Sequence, residues 1–150
     1  MREIALNYQA LLQQVFLYRK RAYAPYSGFS VGAALLGADG RIFGGCNIEN
    51  SAYSPTLCAE RTAFAKAISE GCRDFAALAV AGGPSGEEPR DYVSPCGVCR
   101  QWLVEFCRPE MPVILARTPE DYRIYSCGEL LPHSFSAKML CETEESDCSL

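Results

Sequence analysis

Three cysteines and one carboxylate are the residues best placed to do chemistry in this chain. Cys58-Ala59-Glu60 is followed further along by Pro95-Cys96-Gly97-Val98-Cys99. A structural zinc site is normally closed by four protein ligands, whereas a catalytic one uses three and leaves the fourth position to water. Three thiolates with a carboxylate two residues after the first therefore read as a zinc that activates water, with Glu60 moving the protons. Three thiolates overcompensate a divalent ion, and excess negative charge weakens its pull on water. A nearby cation should offset this. Arg61, adjacent to Glu60, is the leading candidate, and Arg100, adjacent to Cys99, is a second.

Each residue also has a plainer reading. The C-x-x-C spacing is shared with zinc knuckles and redox motifs. A closed structural site would need a fourth ligand, from His133, the single histidine, or from another cysteine. Glu60 in the first turn of a helix would stabilise the helix dipole, and either arginine could be a solvated surface charge. The dipole accounts for the position of Glu60 but not for its pairing with Cys58, which favours the open, catalytic site.

The elements that must position these residues can be read from pattern. Residues 3 to about 21 read as a helix, with Leu11, Leu12, Val15 and Phe16 near helical spacing. Residues 29 to 37 and 41 to 46 read as two strands joined by Asp39-Gly40, a strong hairpin signal. Leu57 to about Glu70 reads as a helix ended by Gly71, and residues 74 to 81 as a buried apolar strand. Gly82 to Val93 reads as a loop, and Pro95 to Cys107 as a helix with Pro in its first turn. Two short strands, 112 to 116 and 122 to 126, precede a short turn or helix at Cys127–Leu131. Both cysteine motifs then fall at helix starts, where unpaired N–H groups and the dipole favour thiolates. Strands alternating with helices imply a layered α/β domain with a mixed sheet.

Composition bounds the function. A chain of 150 residues is one domain with one core. Its net charge of −4 and pI near 5.0 argue against a nucleic-acid partner. The polar first 16 residues resemble neither a signal peptide nor a membrane span. Nine cysteines, an odd number, then point to a reducing, cytoplasmic setting rather than a disulfide framework. Cys46, Cys72, Cys107, Cys127 and Cys141 read as small buried hydrophobes, and Cys148 as an exposed thiol in an acidic tail spanning residues 137–150.

Several motifs in order carry a closer resemblance. Tyr26-Ser27-Gly28-Phe29-Ser30-Val31-Gly32-Ala33-Ala34, Gly45-Cys46-Asn47-Ile48-Glu49-Asn50-Ser51-Ala52-Tyr53, Cys58-Ala59-Glu60-Arg61-Thr62-Ala63, Ser94 to Gln101, and Leu130-Leu131-Pro132 resemble the small zinc-dependent cytidine deaminases. The resemblance spans about Leu11 to Phe135, within a catalytic domain read as residues 1–136. It implies a three-layer α/β/α fold with a five-stranded mixed sheet, and a homotetramer with sites at its subunit interfaces. It implies one Zn2+ per subunit on Cys58, Cys96 and Cys99, with Glu60 as proton shuttle. It further implies that Asn47 and Glu49 hold the ribose hydroxyls, that Phe29 packs on the base and that the Ala59 N–H meets the base carbonyl. Phe135 would reach a neighbouring subunit's site. The implied reaction is hydrolytic deamination of cytidine and deoxycytidine in pyrimidine salvage. An acidic residue at 49 would repel a 5′-phosphate, which favours a nucleoside over a nucleotide. A deaminase of another aminopyrimidine, such as blasticidin S, and a non-catalytic zinc module stand as alternatives.

Overall fold

The structure, a computed structural model, describes residues 8–140. Helix α1 (Tyr8–Arg19) leads into strands β1 (Phe29–Gly37) and β2 (Ile42–Cys46). These pair antiparallel through a turn in which Gly40 takes φ +89°, a left-handed conformation that glycine adopts without a Cβ penalty. Helix α2 (Ala59–Ser69), strand β3 (Phe75–Pro84) and helix α3 (Gly97–Phe106) follow, then β4 (Pro112–Ala116) and β5 (Tyr122–Ser126). The short α4 (Cys127–Leu130) opens with a capping box between Ser126 and Glu129, and a 3-10 turn occupies Ala137–Met139.

The sheet has five strands in the order β2-β1-β3-β4-β5. Only β3 and β4 run parallel, so the sheet is mixed, as the strand and helix order implies. Apolar residues cover both faces. On one face Leu11, Leu12 and Val15 of α1 pack on Ala34, Ala77, Ala79, Ala81 and Ile114. On the other, Phe64 of α2 and Leu103 of α3 pack on Leu35, Leu78, Val80 and Val113, with Trp102, Phe106 and Phe75 around the Phe64 ring. The result is the expected three-layer α/β/α arrangement.

Two glycines let the layers close. A Cβ on Gly32 would lie 2.1 Å from the Val15 carbonyl oxygen of α1. One on Gly45 would lie 2.6 Å from both the Ala59 carbonyl oxygen and the Ala63 nitrogen of α2. Any other residue there would push a helix off the sheet.

Strands β1, β4 and β5 match their sequence readings. Strand β3 runs on to Pro84 through residues read as loop, because Gly82 and Gly83 pair with Val31 and Ser30 of β1. Helix α3 starts at Gly97, so Pro95 precedes its N-cap, Cys96, rather than occupying the first turn. Cys72 and Cys127 are buried as expected, but Cys46 and Cys107 are only partly so. Residues 3–7 of the first predicted helix, and Cys141 and Cys148, lie outside the described residues.

Candidate active site

Cys58 is the N-cap of α2 and Cys96 the N-cap of α3, both in extended backbone, and neither side chain caps its helix. Their sulfurs are therefore free for another partner. Cys99 sits one turn into α3 and is fully buried. The three sulfurs lie within 4.8 Å of one another. Those of Cys58 and Cys96 are 3.7 Å apart. A tetrahedral zinc with Zn–S arms of about 2.3 Å spaces its sulfurs by about 3.8 Å, so this edge fits the metal. Among the described residues no fourth His, Cys, Asp or Glu donor joins the group. His133, the candidate closing ligand, is an exposed residue with φ 53° and stands outside it.

Glu60 occupies the first turn of α2, yet it does not face solvent as a dipole-stabilising acid would. It is 4% exposed, and the Cys99 thiol donates to its Oε2 at 3.8 Å. Burial is the first cause that raises its pKa, to about 7. The Cys58 thiol is pulled down to about 5, chiefly by the hydrogen bond from Cys99, with further help from Arg61. Cys99 is pushed up correspondingly, first by that same bond and then by burial. Arg61 donates from Nη2 to the Cys58 sulfur at 3.5 Å and to the Thr56 carbonyl at 3.3 Å. It stands where a charge-offsetting residue is needed. Arg100 does not: its guanidinium is spent on the Pro95 carbonyl, the Leu130 carbonyl and the Ser94 hydroxyl. It fastens α4 to the turn that carries Cys96.

Of the remaining predicted residues, Asn47 and Glu49 lie on a segment joined to the start of α2. The segment from Asn47 to Glu49 is bridged to Leu57, the residue before Cys58, by two backbone hydrogen bonds of 2.9 Å between Ile48 and Leu57. The Asn47 amide lies almost buried and holds β1: its Nδ2 donates to the Phe29 carbonyl and its Oδ1 accepts from the Val31 N–H, both at 2.8 Å. Glu49 accepts from the N–H groups of Tyr26 and Ser27 and from the Ser27 hydroxyl. The Ser27 hydroxyl bond is the first cause that lowers its pKa. A cavity of about 410 Å³ opens here, lined by Tyr26, Ser27, Glu49, Asn50, Tyr53 and Thr56, with no basic residue. Phe29 is 37% exposed. Ala59 is wholly buried in the first turn of α2, where backbone N–H groups lack helical acceptors. Phe135 is 58% exposed and is tethered through its carbonyl, which accepts from Gln101 Nε2 at 2.9 Å.

Sequence reasoning gave Ser27 no role. It reads as an ordinary turn residue between Tyr26 and Gly28, and only the fold reveals that Glu49, 22 positions on, is its partner.

Residues 6–115 match the family model described as "Cytidine and deoxycytidylate deaminase zinc-binding region". The chain belongs to this deaminase family. It is 49% identical over 140 residues to a cytidine deaminase of Sporosarcina psychrophila, covering 93% of this chain and 99% of that one. Among solved structures it is similar to a cytidine deaminase from Burkholderia pseudomallei, with TM-score 0.77, 45% identity, and coverage of 84% of this chain and 97% of that one. A cytidine deaminase from Mycobacterium tuberculosis is similar at TM-score 0.73 and 37% identity, with coverage of 87% and 98%. Zinc is the cofactor of this deaminase domain, and the three-cysteine group fits it.

Proposed function

We propose that the protein hydrolytically deaminates cytidine and deoxycytidine, yielding uridine or deoxyuridine and ammonia, in pyrimidine salvage. The observation that carries this reading is the buried Glu60 carboxylate turned toward three convergent sulfurs. A zinc ion held by Cys58, Cys96 and Cys99 would supply Lewis acidity and make water a nucleophile at neutral pH.

The chain's own residues do the rest. Glu60 takes a proton from the attacking water and passes it to ring N3, as water adds at C4. It then carries a proton to the 4-amino nitrogen, which leaves as ammonia. Its burial keeps bulk water from short-circuiting these transfers. Ala59 offers its N–H to the base carbonyl, and Phe29 packs on the base. Asn47 and Glu49 take the ribose hydroxyls. The Asn47 amide spends one N–H on Phe29 and one lone pair on Val31, which leaves a second N–H and a second lone pair for the sugar. Arg61 offsets the surplus charge of the thiolates. The absence of Lys or Arg around the cavity at Glu49 favours a nucleoside over its 5′-phosphate.

Catalysis is assigned to residues 1–136, with residues 137–150 as an appended acidic tail. The assembly is assigned as a homotetramer in which Phe135 completes a neighbour's site, in keeping with the exposure of Phe135 and Val98. The setting is assigned as cytoplasmic on the odd number of cysteines in the sequence. No helix of the described residues is long and apolar enough to cross a membrane.

The decisive experiment follows ultraviolet absorbance of cytidine and deoxycytidine with wild type and Glu60→Gln. Turnover in the variant should fall about 10²- to 10⁴-fold, with zinc content and melting temperature unchanged. Full activity in Glu60→Gln would remove Glu60 from the reaction.

A further inference from the structure

The Ser27 hydroxyl sits between two residues that must act together. It donates to Glu49 Oε2 at 2.5 Å and accepts from the Phe29 N–H at 3.0 Å. Glu49 Oε1 is already held by two backbone donors, the N–H groups of Tyr26 and Ser27, at 2.9 and 3.1 Å. An ionised carboxylate offers about four acceptor positions. Three are filled by the protein, which leaves one open position, on Oε2. The Phe29 N–H fills one lone pair of Ser27 Oγ, and because an ionised carboxylate only accepts, the hydroxyl proton points at Glu49. With Ser27 on one side of Oε2, the position left open is the other one.

We propose that Ser27 is the positioning residue that aims Glu49 at a single sugar hydroxyl. The proposal rests on Glu49 reading the sugar. It adds a division of labour: the backbone N–H groups keep Glu49 charged and in place, and Ser27 sets which way its free lone pair points. The polar chain Phe29 N–H to Ser27 to Glu49 links the base end of the cleft to its sugar end. Asn47 closes the same chain from the other side through the Phe29 carbonyl. Ser27 is exposed and lies in a loop, so its loss leaves the core untouched.

The test compares Ser27→Ala, Ser27→Thr and wild type on cytidine and on 2′,3′-dideoxycytidine, which lacks both ring hydroxyls. For Ser27→Ala, KM for cytidine should rise about tenfold with kcat within about twofold, while KM for the dideoxy compound moves by less than about twofold. Ser27→Thr keeps the hydroxyl and should restore most of the cytidine KM. Zinc content and melting temperature of both variants should match wild type. An equal loss on both substrates would mean general loop damage and would overturn the proposal, as would no loss on cytidine. The wild-type ratio separates this from the reading beneath it. If wild type handles both substrates alike, Glu49 does not read the sugar and both ideas fall. If wild type discriminates and Ser27→Ala discriminates equally, only the role of Ser27 falls.

Discussion

Arg61 and Arg100 follow Cys58 and Cys96 by three and four residues, yet only Arg61 turns to the sulfurs. Helical spacing puts both on the side of a ligand, so spacing could not separate them. What does is the Leu130 carbonyl of α4, which captures Arg100 through a contact 30 residues away. The four residues of the sulfur centre were legible because their chemistry is local to two short motifs. The hold of Ser27 on Glu49 and the use of Asn47 as a brace for β1 were not, because each joins residues far apart in sequence. Removing the Arg61 guanidinium withdraws positive charge from the cluster without touching a ligand. Arg61→Ala should weaken zinc retention about 10- to 100-fold, measured by competition with a chromophoric chelator. Retention equal to wild type would show that Arg61 does not tune the site.

At the scale of elements, the hairpin, β4, β5 and the two helices that begin at the cysteine motifs could be read from apolar runs punctuated by turn residues. The extension of β3 could not. Gly82-Gly83-Pro84 has the composition of a loop, but β1 offers it a row of hydrogen-bond partners, and backbone pairing outweighs local preference there. The two close-packed glycines separate the layers experimentally. Gly32→Ala and Gly45→Ala both force backbone atoms apart, and each should cost about 1–3 kcal/mol or somewhat more in urea unfolding. Only Gly45→Ala should also lower zinc content, since it displaces the first turn of α2, which carries Ala59 and Glu60. Gly32 meets α1 on the opposite face. Zinc loss in Gly32→Ala, or full zinc in a destabilised Gly45→Ala, would contradict this assignment of the layers.

At the scale of the whole molecule, Phe135, Met139 and Leu140 are exposed near the C-terminal end of the described residues, and Val98 is exposed in the first turn of α3. If Phe135 serves a neighbour's site, two defective variants can repair one another. Mixed oligomers of Glu60→Gln and Phe135→Ala, refolded or co-expressed, should show more activity than the sum of the separate variants. In such an assembly an intact Glu60 meets an intact Phe135 from next door. Strictly additive activity in oligomers verified as mixed would confine Phe135 to its own chain.

The three clustered sulfurs come from the starts of two helices, with Cys58 and Cys96 38 positions apart. A metal bridging them is thus also a cross-link that the unfolded chain lacks, and the folded state is linked to free zinc by mass action. Above saturation, each tenfold rise in free zinc should add about 1.4 kcal/mol to unfolding free energy. Melting temperature measured across a zinc-buffer series then becomes a thermometer of metal affinity, readable even in Glu60→Gln, where there is no turnover to follow.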